Sequence, residues 1–93
     1  MRRSDFAIGV RYHGPDNEAA PWFHRSLAEI RRRREGAVWI EIENSDGSET
    51  GSLAAVSEGP TVPSFNGTVE LVGGRTIGCD GITAFRLLPP RRP

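Results

Sequence analysis

Few side chains in this sequence could carry chemistry. His13, His24, Cys79 and Asp80 are the candidates for a nucleophile or a metal site. A zinc site needs His and Cys ligands at short recurring spacings; no pair here has them, and there is no second cysteine. A Cys–His dyad would require segments far apart in the chain to meet, and no spacing demands it. Cys79 alternates with Ile77 instead, which is the pattern of a small core residue. Gly73-Gly74 lacks the following helix and the Lys-Ser/Thr pair of a phosphate loop. Asp46-Gly47-Ser48-Glu49 is too short and too poor in ligands to hold calcium. No catalytic residue, metal or cofactor is expected, and the chain reads as a non-enzyme.

Binding chemistry has better candidates. Arg31, Arg32, Arg33 and Arg34 are consecutive. On a helix each step turns about 100°, so four in a row encircle the axis and form no single stripe. In a last turn they face the negative end of the macrodipole, and Glu29 can pair with Arg33 four residues on. Stabilising the helix end is the first reading of the run; binding an anionic partner is the second. Arg2, Arg3, Arg91 and Arg92 would join such a patch if the termini lay beside it. Nucleic acid is the less favoured ligand, because Glu29, Glu35, Glu41 and Glu43 lie near the run in sequence and weaken its field.

Trp22 and Trp39 are the remaining candidates. Trp22 falls about 100° off the apolar stripe of its helix, and Trp39 occupies the polar phase of its strand. Interfaces enrich Trp and Arg, so large aromatics off an element's apolar face point to a partner or to self-association. Pro90-Arg91-Arg92-Pro93 has the spacing of a proline-rich ligand, a match common by chance.

Composition narrows the classes. Ninety-three residues make one domain with a modest core. Twelve basic residues balance twelve acidic ones, which argues against a general polyanion binder. All twelve are Arg and the chain has neither Lys nor Gln, a compositional bias that weakens each Arg as a functional signal. Eleven glycines and seven prolines imply many turns rather than a helical bundle. One cysteine excludes the disulfide-stapled secreted domains. Apolar runs of four residues are far too short to span a membrane, and nothing after Met1-Arg2-Arg3 resembles a signal peptide, so the expected location is cytoplasmic.

The elements that must position these residues follow from periodicity. Phe6, Ile8, Val10 and Tyr12 alternate with polar or small residues, predicting a first strand. Asp16 or Asn17 can cap a helix over 18–35, whose stripe is Ala20, Phe23, Leu27 and Ile30, with Gly36 as its stop. After Gly36 the period falls to 2. Val38, Ile40 and Ile42 face one way, a turn follows at Ser45–Ser48, and a strand returns over Thr50–Ser57. Glu58–Asn66 holds Gly59, Pro60 and Pro63 and cannot be a central strand. Thr68–Val72 and Arg75–Cys79 flank a Gly73-Gly74 hairpin turn, and Asp80-Gly81 predicts another before Ile82–Leu88.

The expected fold is α+β: one helix on a mostly antiparallel, five- to six-stranded curled sheet or small open barrel, in the order β-α-β-β-β-β-β. Residues 1–88 make the domain and 89–93 a Pro/Arg-rich flexible tail. The expected function is protein–protein contact by a regulator, inhibitor or accessory subunit, with a homo-oligomer or other protein as partner. The alternative is an anionic ligand, nucleotide or nucleic acid held by the arginines.

Overall fold

The 3.6-residue stripe forms an α-helix in the structure, a computed structural model that describes residues 6–14, 19–34, 36–58 and 67–90. Helix α1 spans Ala19–Arg33 and buries Phe23, Ser26, Leu27 and Ile30. Asp16, Asn17, the terminal arginines and residues 59–66 and 91–93 lie outside the described residues.

Among the described residues six strands make one sheet in the order β1-β6-β2-β3-β4-β5. They are β1 (Arg11–Tyr12), β2 (Trp39–Asn44), β3 (Gly47–Glu58), β4 (Gly67–Leu71), β5 (Arg75–Gly78) and β6 (Ile82–Leu87). Every neighbouring pair is antiparallel. The sheet is not closed. It is an open α+β sheet with one helix on one face.

Strand β3 explains the curl. Its first half, Gly47–Ser52, pairs with β2, and its second half, from Leu53, pairs with β4. The register shifts between Leu53 and Ala55, a bulge that bends the strand and sharpens its twist. Val38, Ile40, Ile42, Leu53, Val69, Leu71, Phe85 and Leu87 close on Phe23, Leu27 and Ile30 as one core. Cys79 is fully buried in it.

Two expected elements differ. The first segment is not a strand over 6–13, because Gly9 takes φ +87 and breaks the alternation. Ile8 bridges Leu87 in parallel before that turn, while Arg11 and Tyr12 pair antiparallel with Arg86 and Phe85 after it. Ile8 and Val10 are consequently exposed, at 42% and 44%. Asp80-Gly81 makes no hairpin turn either. Cys79–Gly81 is a single 3₁₀ turn, because β6 leaves β5 and crosses to lie between β1 and β2. Gly73-Gly74 does turn a hairpin, with φ +107 and +93, values that suit glycine alone.

Candidate functional site

The site is the sheet face that α1 leaves uncovered. Side chains alternate along a strand, so burial of Ile40, Ile42, Leu53, Leu71, Phe85 and Leu87 beneath the helix fixes the phase of their neighbours. Trp39, Glu41 and Glu43 of β2 take the opposite face, with Arg86 and Leu88 beside them. Ser52, Thr50, Glu70 and Val72 continue that face on the other side.

One row crosses it. The Leu88 N–H donates to the Trp39 carbonyl at 2.9 Å. Trp39 pairs with Ser52, and the Val72 N–H donates to the Ser52 carbonyl at 2.8 Å. Leu88, Trp39 and Ser52 are half-buried, whereas Val72 is 67% exposed. Three apolar residues and one small one thus lie side by side on a face whose other positions are mainly Ser, Thr and charged.

Charge flanks the row on both sides. Arg11 grips Glu43 with two hydrogen bonds, Nε at 2.7 Å and Nη2 at 3.0 Å. Those bonds, and behind them the charge of Arg86, hold the Glu43 carboxyl below its ordinary range against the opposing effect of desolvation. Arg86 stands opposite Glu41 in the β2–β6 register. Its Nε is buried and has no hydrogen-bond partner among the described residues. Beyond the row, Glu70 is exposed between Ala55 and Thr76 and makes no ion pair among the described residues.

The structure separates the candidates drawn from sequence. Trp39 lies in the row. Trp22 belongs to an aromatic cluster instead, with ring centroids 5.1 Å from Phe23, 5.9 Å from Phe85 and 6.2 Å from Phe6. The arginine run is dispersed over contacts within the chain. Arg31 donates from Nε to the Ala54 carbonyl at 3.4 Å, beside the β3 bulge. Arg34 donates to the Phe6 carbonyl at 2.7 Å and so holds the N-terminal segment. Arg32 and Arg33 share Glu29, whose carboxyl is lowered chiefly by the Arg33 hydrogen bond.

The residues weighed for catalysis are placed apart from the row. His13 is exposed and His24 half-buried on α1. Cys79 sits beneath α1, and burial first, then the Asp80 charge, pushes its thiol up to about 11. That is the reverse of an activated nucleophile. Among the described residues no three His, Cys, Asp or Glu side chains gather where they could hold a metal. A polar groove of about 360 Å³ lies between the β2–β3 turn and β5, and in it Arg75 neutralises Glu49 through two 2.7 Å hydrogen bonds.

Sequence reasoning missed Ser52, Val72, Leu88, Arg86 and Glu70. The phase of each is readable from its buried neighbour, but strand order is needed to place them side by side. Compared with known protein families, curated proteins and solved structures, the chain matches none.

Proposed function

We propose that this is a small, non-enzymatic protein that works by protein–protein contact through the open face of its sheet, as a regulator, inhibitor or accessory subunit. The observation that carries the reading is the Leu88–Trp39–Ser52–Val72 row. An apolar centre holding a tryptophan, inside a rim of charged side chains, has the anatomy of an interface. The inert thiol of Cys79 speaks against covalent chemistry at that residue. Among the described residues no helix is long and apolar enough to cross a membrane, and a cytoplasmic location belongs to the same reading.

Anion binding at Arg31–Arg34 ranks second. Each guanidinium already serves a carbonyl or a carboxylate of its own chain, which reduces what the run can offer a phosphate.

The test replaces Trp39 by a photoreactive benzoylphenylalanine and irradiates the protein in an extract of its source cells. The same residue at Arg32 serves as the comparison. Polypeptide adducts from position 39 that are absent from position 32 are expected. Adducts to nucleic acid from position 32 alone would overturn the ranking.

A further inference from the structure

We propose that the open face closes on a second copy of this chain, the two sheets packing face to face about a two-fold axis beside Trp39 and Ser52. This rests on the reading of that face as a protein-contact surface and names its partner.

Charge is the first argument. On one side of the row stand Arg11, Arg86, Glu41 and Glu43, two of each sign, with Arg11 and Glu43 satisfied by one another. Arg86 keeps a buried Nε with no hydrogen-bond partner among the described residues. On the other side Glu70 is an exposed carboxylate with no ion pair among them. Among the described residues the face therefore carries a guanidinium outside any ion pair at one end and a carboxylate outside any ion pair at the other. A uniformly acidic or basic partner would satisfy one and repel the other. A second copy offers both.

Position is the second. Arg86 of β6 precedes Leu88 by two residues, and Glu70 of β4 precedes Val72 by two. Strands β6 and β4 flank the β2–β3 pair on opposite sides. Because the register sends β6 and β4 away from the row in opposite directions, Arg86 and Glu70 stand diagonally across the Trp39–Ser52 midpoint. With strands spaced at about 4.8 Å and rising about 3.4 Å per residue, each lies roughly 10 Å from that midpoint. A two-fold axis in the plane between two such faces, set across that diagonal, places Arg86 of each copy over Glu70 of the other. Strands of the two copies then cross near 90°, one of the two ways in which sheets stack.

Area is the third. Six strands and six-residue lengths give a face of roughly 24 by 20 Å, so two faces bury on the order of 1,000 Å², the lower bound for a specific interface. An interface at that lower bound calls for measurement at protein concentrations of tens of micromolar.

Sedimentation equilibrium of the purified chain tests this. At tens of micromolar the expected mass is twice the 10.2 kDa of one chain. Trp39→Ala, Arg86→Glu and Glu70→Arg should each raise the dissociation constant at least tenfold. An equimolar mixture of the Arg86→Glu and Glu70→Arg proteins should recover the dimer, because both cross-pairs then have opposite charges. Glu70 is exposed, so its variant tests the interface without loading the core. As a further measurement, Trp22→Phe leaves Trp39 as the one tryptophan, and its emission should move to longer wavelength on dilution. A 10 kDa species throughout, or a dimer indifferent to Glu70→Arg and Trp39→Ala, overturns the second-copy assignment. Adducts from position 39 to a different protein would then leave the protein-contact reading standing, whereas loss of both results removes both.

Discussion

Raising the pH should loosen this protein from its core outward, beginning at Cys79. The thiol is fully buried, and its burial, followed by the Asp80 carboxylate, moves its pKa from 9.0 to about 11. The fold accommodates the neutral thiol; the unfolded chain lets it ionise at the ordinary value. Below 9.0 both states hold the proton and stability is intact. Above it the unfolded state loses the proton first, so stability falls with rising pH until the native thiol also ionises near 11. Two units at about 1.36 kcal/mol each come to about 2.7 kcal/mol. Against a total of roughly 5–15 kcal/mol for a domain, that is a substantial fraction. Urea unfolding at pH 8, 9, 10 and 10.5 measures the decline, and Cys79→Ala isolates its source. The variant should start lower at pH 8, from its small cavity, and then decline less steeply than the parent. Parallel pH profiles for the two proteins would refute the argument, because every other titrating group is common to both.

Leu27 is fully buried, so Leu27→Ala should cost about 2–5 kcal/mol in urea unfolding; a loss below about 0.5 kcal/mol would mean the helix stripe is not in the core. Gly74→Ala meets no neighbouring atom, so its cost is the left-handed backbone alone, about 1–2 kcal/mol, and an unchanged urea midpoint would contradict the turn geometry. Glu29 has a carboxyl lowered by Arg33, so its contribution is complete above the ordinary value of 4.5 and lost as the pH falls through its native value. Arg33→Gln should therefore flatten the acid limb of thermal stability, and an unaltered limb would show that the pair contributes nothing. Arg34→Gln releases the Phe6 carbonyl and should speed amide hydrogen exchange at Ala7 and Gly9 while leaving the core amides unchanged. Equal acceleration throughout would indicate global destabilisation instead.

Much of this architecture was legible because two periods divide the chain cleanly. Phe23, Leu27 and Ile30 recur as a helix requires, and Val38, Ile40 and Ile42 as a strand requires, and all six are buried together. Gly73-Gly74 announces its hairpin by backbone chemistry alone. The first segment misled because alternation counts side chains and is blind to a backbone reversal such as that at Gly9. The crossing of β6 to the far side of β2 was hidden for a different reason. Antiparallel neighbours in sequence usually pair, and nothing local to Ile82–Leu87 reports which strands will receive it. The site inherits that difficulty. Trp39 was identifiable from its phase, but Val72 and Leu88 become its neighbours only through strand order.

The place of β6 also governs how the chain can acquire its structure during synthesis. Strands β2 to β5 form a simple meander and can pair as they emerge, each with the strand before it. Strand β1 cannot settle in that way, and β2 can do so on one side only, since each awaits β6 as a neighbour. Until Leu87 has left the ribosome, β2 presents an open edge and α1 lacks Phe85, around which Trp22 and Phe23 gather. The last strand is thus a keystone. A nascent chain halted before Ile82 would hold a helix and a meander with an aromatic surface uncovered, a state prone to aggregate.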